Sequence, residues 1–344
     1  MKPLNFFDKV IFFVNSLFAT ALLLAYLLPY IPPSSFPYLS VLSLTMPVLL
    51  VINIAFLIYW VVKLRKHFLL SFLILLLGFN HILSLYKFGA EKYTKQPQDV
   101  KLLSYNVRQF NRFNWIEGDS VTNQIINFIE AEKPDVVCLQ EYQQRSDVDF
   151  DEFQHKYEVL TDKKTRFGQA IYTNYPIVNK GSIGFGTSNN NAIYVDLAVG
   201  NDTIRFINIH LESLKIKPKV SEFQEEKREK LVGRIDNSFR KQEAQVKKIL
   251  KNLEACPYKS VISGDMNNSA FSYIYRKLSE GHLDAFKEKG KSFGKTFDFD
   301  FIPMRIDAIL VDEAFEVKQF NSFPKVKYSD HYPISCVFSL ESND

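Results

Sequence analysis

Three apolar runs crowd residues 1–90, roughly Val10 to Tyr30, Leu39 to Val62 and Phe68 to Tyr86. Each matches the ~20 residues a helix needs to cross a hydrocarbon core, where backbone polar groups must be satisfied within the segment itself. The runs predict three transmembrane helices. A secretory signal is the alternative for the first, but its apolar length exceeds the ~7 to 15 residues of a signal's apolar region, and two more runs follow it. Attachment to membrane lipids is expected either way.

The cations give an orientation. Lys2 and Lys9 precede the first run, Lys63, Arg65 and Lys66 lie between the second and third, and Ile31 to Ser40 carries no charge. Cytoplasmic loops are the ones enriched in Lys and Arg, so the N-terminus and the Lys63 to His67 loop are expected in the cytoplasm. Three crossings then send everything after Lys87 to the periplasm or the exterior, as in a multi-pass inner-membrane protein. Asn53, Asn80 and His81 lie in or near the runs. Polar groups there are functional candidates by default, but uncharged amides near helix ends are more often packing contacts, the reading favoured for them.

The formal charge of +4 divides unevenly: residues 1–90 hold six Lys or Arg and one Asp, +5, leaving 36 basic and 37 acidic residues, −1, for the remainder. A dedicated nucleic-acid binder is expected to show a basic footprint on its soluble part, and by net charge this chain does not. Cys138, Cys256 and Cys336 are too few and scattered for a disulfide framework and read as small apolar residues. A polar stretch from Lys87 to Val100 suggests a short tether at residues 91–100, then one domain over residues 101–344. Strand-like runs stand at Lys101 to Tyr105, Val136 to Gln140, Gln169 to Thr173, Ala192 to Leu197, Thr203 to Ile209, Ser260 to Ser263, Ala308 to Val311 and Ile334 to Ser339. Helical patterns stand at Ser120 to Glu132, Ser221 to Glu254 and Ser269 to Lys277. This mixture suggests an α/β sandwich with mixed sheets. Lys215 to Lys251 holds twelve basic and six acidic residues. A solvated helix face is the default reading, attraction to anionic headgroups at ~1 kcal/mol per basic residue the alternative.

Two segments at strand ends carry most of the chemistry: Gly264-Asp265-Met266-Asn267 and Ser329-Asp330-His331-Tyr332-Pro333. Open α/β sheets keep their chemistry at strand ends. Asp-x-Asn on one end and adjacent Asp and His on another supply hard oxygen ligands, a base and an imidazole, the equipment of metal-assisted phosphoester hydrolysis. Asp265 and Asn267 stand two apart and project to one side of an extended chain; an Asx-turn capping a helix from near Ser269 is the plainer alternative. Gly264 favours a close backbone approach. Glu141, ending the apolar strand Val136 to Leu139, is costly to bury without a cation or donor, and Mg2+ takes one or two carboxylates plus an amide oxygen and water; otherwise it is a surface glutamate. His331 needs an orienting partner to present a chosen nitrogen. Arg108 is either a phosphate clamp or a surface residue at a strand edge.

In chain order the sequence presents Ser104-Tyr105-Asn106-Val107-Arg108, the run Asp135 to Glu141, Asn208-Ile209-His210-Leu211, Gly264-Asp265-Met266-Asn267, Arg305-Ile306-Asp307-Ala308 and Ser329-Asp330-His331. On these motifs it resembles the endonuclease/exonuclease/phosphatase family, over residues of about 100 to 341. The resemblance implies a DNase I-like four-layered α/β sandwich, here preceded by three transmembrane helices, and Mg2+ as cofactor with Mn2+ as its substitute. It implies Glu141 as main metal ligand assisted by Asn106 and Asp330, Asp265 as base, Asn267 as aligning group, and Asp307 as the partner of His331. His210 becomes general acid for the leaving oxygen or an electrostatic clamp, and Arg108 a substrate-binding candidate. The abasic-site endonuclease branch typically has Gly-Leu-Arg after the first-motif Asn and a tyrosine in place of His210. This chain has Val107-Arg108-Gln109-Phe110 and the imidazole, which points to the DNase I, sphingomyelinase and phosphatase side.

The expected function is a membrane-anchored, Mg2+-dependent phosphodiesterase or phosphatase acting outside the cytoplasm, with a lipid-linked phosphate as a substrate that tethering would concentrate. An extracytoplasmic nuclease is the rival enzyme, and a non-catalytic membrane binding module on the same fold the rival of another class. No obligate protein partner is inferred.

Overall fold

The structure is a computed structural model of the 344-residue chain, and it describes residues 3–36, 38–89, 93–118, 120–162, 164–186, 188–215, 228–300 and 302–340. Helices α1 (Phe6–Ala25) and α2 (Met46–Val62) lie in the apolar segments Phe6–Tyr30 and Ser40–Val62, each long enough to cross a membrane. They run antiparallel: Asp8 near the start of α1 meets Tyr59 (2.7 Å) and Lys63 (3.1 Å) at the end of α2, and Asn53 Nδ2 donates to Phe18 O (3.2 Å). Asn53 is thus a packing contact.

The third run is not one straight helix. It forms α3 (Phe68–Leu77) and α4 (Phe79–Leu85), bent by 76° at Gly78. A Cβ at Gly78 would lie 2.0 Å from the Tyr26 hydroxyl oxygen. The glycine therefore admits the tyrosine of α1 at the break, where the hydroxyl donates to Ile74 O (3.1 Å) and the ring stacks on His81 at 5.1 Å. α3 runs parallel to α1, with Ser71 on Asn15 (2.8 Å) near its start and Ile74 beside Tyr26 near its end. It carries the chain from the Lys63 end of the bundle back to the Tyr30 end.

The remainder follows as β1 (Val100–Asn106), α5 (Val121–Glu132), β2 (Val136–Gln143), β3 (His155–Asp162), β4 (Phe167–Thr173), β5 (Ile177–Ser182), β6 (Asn191–Val199), β7 (Asp202–His210), α6 (Arg228–Glu254) and β8 (Lys259–Asp265). Then come α7 (Tyr273–Leu278), β9 (His282–Asp284), α8 (Ala285–Lys289), β10 (Phe297–Phe299), β11 (Ile302–Met304), β12 (Asp307–Asp312), β13 (Phe315–Ser322) and β14 (Ile334–Leu340). One six-stranded sheet has the order β13-β14-β1-β2-β4-β3, the other β5-β6-β7-β8-β12-β9. Each is mixed, with one parallel pair at its centre, β1 with β2 and β7 with β8.

Strand alternation builds the layers. Val136 and Cys138 of β2 face Phe206 of β7 and Val261 of β8 between the sheets. Val137 and Leu139 face outward onto Ile125 and Ile129 of α5, spaced by four on one helix face. On the far side, Ile207 and Ile262 meet Val246 and Ile249 of α6 and Ile274 of α7. Helix, sheet, sheet, helix make the four-layered sandwich. The helix expected from near Ser269 begins instead at Tyr273, because Ser272 Oγ accepts from Tyr275 N (3.1 Å) and caps it there. Of the basic segment from Lys215 to Lys251, residues 216–227 lie outside the described residues.

The domain is fastened to the bundle at its Tyr30 end. Glu243 of α6 accepts from Ser34 N (2.8 Å) and Oγ (2.9 Å), Asp236 accepts from Tyr38 N (3.1 Å), and Arg276 Nε donates to Pro29 O (2.9 Å). Lys87 and Ser292 exchange backbone hydrogen bonds of 2.9 and 2.8 Å, so the start of the expected tether is docked on the domain.

Candidate active site

β1, β2, β7 and β8 all end at one edge of the sandwich, β12 starts there, and Asp330-His331 stands there before β14. The pairing register puts His210, Asp265 and Asp307 side by side on three neighbouring strands. The close approach of β7 and β8 needs Gly264: its φ is +134°, and a Cβ would lie 2.1 Å from Ile209 O. Glu141 follows from a different device, a bulge in β2 between Leu139 and Tyr142. Its φ of +49° is strained for a non-glycine residue by ~1–3 kcal/mol and brings the carboxylate to the edge.

The side chains converge. Asn106 Nδ2 lies 3.2 Å from Asp265 Oδ2 and 3.4 Å from Glu141 Oε1. His210 Nε2 stands 3.7 Å from Asp265 and 3.9 Å from Glu141. His331 Nδ1 is bonded to Asp307 at 2.9 Å and its Nε2 points to Asp265 at 3.7 Å. Asn267 donates to Asp265 from its backbone N (2.7 Å) and from Nδ2 (3.1 Å). Arg108 sits at the rim, its Nε 3.4 Å from Asp330 and its guanidinium 4.2 Å over the Trp115 ring. Asn106, Arg108, Glu141, His210, Asp265, Asn267, Asp307, Asp330 and His331 all stand in or beside this one cleft.

Burial and neighbouring charge tune the groups in opposite directions. Burial raises the Asp265 carboxyl to about 7, helped by Asp307 against the pull of His331. Burial also raises Glu141, with Asp330 adding to it. His210 is pushed down to about 3 by burial and by the charge of His331, so it is neutral at pH 7. Burial opposes the charge on His331 too, but Asp307 and Asp265 outweigh it and hold the imidazole at about 10, a cation at pH 7.

Four carboxylates, Glu141, Asp265, Asp307 and Asp330, thus face two cations, His331 and Arg108. The excess of two carboxyl groups over cations suits a dication, which favours their ionised form. Asp265, Asp307 and His331 offer ligand atoms within 4.8 Å of one another, but Asp307 and His331 already neutralise each other. Glu141, 27 % exposed, meets an amide and a neutral imidazole, so Glu141 with Asn106 is the pair that fits a hard cation.

Four supporting residues escaped the sequence reading. Asn208 donates to Leu139 O (2.9 Å) and Ala170 O (3.1 Å) across the sandwich and accepts from Gln140 Nε2 (2.7 Å), locking the two sheets beneath the site. Thr296 Oγ1 accepts from the backbone N of Ile306 (3.0 Å) and Asp307 (3.1 Å), fixing the start of β12. Trp115 is the fourth. Strand alternation from His210 could have placed Asn208 on the inner face; nothing local marks Thr296 or Trp115.

The family model for the endonuclease/exonuclease/phosphatase family matches residues 103–331. The chain belongs to that family. It is a family of phosphoesterases and nucleases, generally dependent on a divalent metal ion. A second model, described as a domain of unknown function, matches residues 8–85. No curated protein sequence matches the chain. Among solved structures, humanized TDP2 of D. rerio is 17% identical with a TM-score of 0.53, covering 70% of this chain and 99% of that one. An endonuclease/exonuclease/phosphatase from Bacteroides vulgatus is 17% identical with a TM-score of 0.53, covering 71% and 99%. The human Nocturnin catalytic domain with bound sulfate anion is 19% identical with a TM-score of 0.51, covering 72% and 100%. At these identities the likeness is one of fold, and it extends over the sandwich.

Proposed function

We propose that this family member is a membrane-anchored, Mg2+-dependent phosphoester hydrolase whose catalytic domain lies outside the cytoplasm. The observation that carries the reading is the convergence of Asn106, Glu141, His210, Asp265, Asn267, Asp307 and His331 on one cleft. Mg2+ held by Glu141 and Asn106, with Asp330 nearby, would supply the Lewis-acid chemistry of the site. Asp265, whose two oxygens accept from the backbone N and Nδ2 of Asn267, is the base that takes the proton of the attacking water. His331, kept charged by Asp307, presents Nε2–H to a phosphoryl oxygen as an electrostatic clamp. Neutral His210 donates a hydrogen bond to the same phosphate or its leaving oxygen.

Anchoring is supported by the apolar length of Phe6–Tyr30 and Ser40–Val62. The side is supported by charge: Lys9, Lys63, Arg65 and Lys66 gather at the end of the bundle away from the domain, while the uncharged Ile31 to Ser40 loop meets the domain. The test is a screen of the purified full chain in detergent against chromogenic phosphomonoesters and diesters, phospholipid vesicles and plasmid DNA, with Mg2+ or a chelator. Mg2+-dependent turnover lost on chelation is expected. DNA nicking with no other turnover would make the chain a nuclease, and no turnover of any phosphoester would leave a binding module.

A further inference from the structure

Between the bundle and the catalytic domain lies an apolar cavity of about 370 Å³, within the ~300–1,000 Å³ of ligand sites. Its walls come from both units: Val48 of α2 and Leu85 of α4 on one side, Leu214, Phe271, Phe299 and Arg305 on the other. Resting on the phosphoesterase reading above, we propose that this cavity takes one hydrocarbon chain of a membrane lipid whose phosphoester lies at Asp265 and His331.

The walls of the cavity and of the catalytic cleft are neighbours along the chain. Ser269 lines it two residues after Asn267, and Arg305 lines it two residues before Asp307. On the β10 hairpin, Phe297 packs edge-on against His331 at 4.9 Å and Phe299 lines the cavity two residues further on. Two residues of extended chain cover roughly 7 Å, about the distance between a lipid's phosphate and the top of its chain region. On the other side the cavity is walled by Val48 of α2, which is 59% exposed on the apolar bundle. With the bundle in a bilayer, a chain would enter the cavity from the leaflet at that face. Nucleic acid or a soluble sugar phosphate has nothing to place there.

The cavity wall holds one unsatisfied donor. Arg305 is buried, paired with Asp284 at 3.0 Å, and donates from Nη2 to Ser84 O at 3.4 Å. Its Nε–H has no acceptor among the described residues. Buried donors are rarely left so, and an ester oxygen of a bound lipid would accept from it.

The test uses wild-type full chain and a series of one phosphate headgroup carrying no chain or progressively longer single chains, each below its aggregation concentration, beside a chromogenic diester. We expect kcat/KM to rise about fourfold per added methylene until the cavity is full, the factor given by ~0.8 kcal/mol per CH2. In Ala270→Trp, which fills the cavity, the ratio of long-chain to chromogenic turnover falls at least ~10-fold. A lipid with a photoreactive chain end should crosslink to peptides carrying Leu214 or Phe271 in wild type, a readout that needs neither turnover nor a foldable variant. Chain-independent kcat/KM with crosslinks elsewhere would overturn the chain site and leave the hydrolase standing. Absence of turnover on every member, the chromogenic diester included, would overturn both.

Discussion

Glu141 is a carboxylate in a left-handed backbone at a bulge, with an amide and a neutral imidazole for company. Such strain persists where the surroundings hold it for a purpose, and holding a dication would supply one. Glu141→Ala should therefore lose at least ~10²-fold in turnover of any phosphoester the chain accepts, measured as kcat/KM at saturating Mg2+, while its unfolding midpoint stays near wild type. Without metal, Asp265 is raised to about 7, so below that pH it holds a proton that a dication must displace; burial raises Glu141 in the same direction. Calorimetry of Mg2+ binding at pH 6.5 in buffers of different ionisation enthalpy should show proton release in wild type and less in Glu141→Ala; no release would contradict these environments. The imidazole works with the opposite sign. His331 is raised to about 10 when folded, from an ordinary 6.5, so its pairing with Asp307 stabilises fully below pH ~6.5 and the gain is lost as pH rises towards 10. The difference in Tm between wild type and Asp307→Asn, both metal-free, should shrink over that interval.

The central strands were legible in the sequence because they are buried on both faces and read as near-continuous apolar runs. All eight expected strands are present, each within two residues of its expected start. The longer strands left unread, β3, β5 and β13, and the short β9, are the four edges of the two sheets. Edges carry charge against mispairing; Lys156 and Glu158 in β3, Lys180 in β5, and Glu316 and Lys318 in β13 broke the pattern. The site was legible for the same reason as the centre, since its residues sit where apolar runs stop. What supports it was not, because Thr296 and Trp115 lie in irregular segments with no strand or helix period to mark them. At this scale Gly264→Ala sets a Cβ against Ile209 O and demands a φ of +134°; it should cost ~2 kcal/mol or more in urea unfolding. Asn208→Leu removes the donor to Leu139 O and Ala170 O and the shortest of Gln140's acceptors and should cost ~1–3 kcal/mol, with a larger proportional loss of turnover than of stability because the sheet pair aligns the cleft.

For the molecule as a whole, the break of the third run at Gly78 was not legible in its apolar pattern, because a tyrosine from another part of the bundle occupies the break. The bend leaves α3 returning the chain to the Tyr30 end and α4 turning towards the domain, so the loop that carries no charge and the catalytic unit share one side. Single-cysteine variants Ser35→Cys and Lys66→Cys, on a chain whose own cysteines are replaced, should label oppositely with a membrane-impermeant maleimide on intact cells: position 35 reacts, position 66 does not. Labelling of both, or of position 66 alone, would contradict the orientation. Behind that stands the claim that one cleft, organised around Glu141, hydrolyses phosphoesters with Mg2+. Its most direct test is the Mg2+ titration of phosphoester turnover by the purified full chain in a bilayer, wild type beside Glu141→Ala. The account predicts saturable Mg2+ activation in wild type and its loss by at least ~10²-fold in the variant; equal turnover by the two proteins, or turnover indifferent to Mg2+ and chelator, would contradict it.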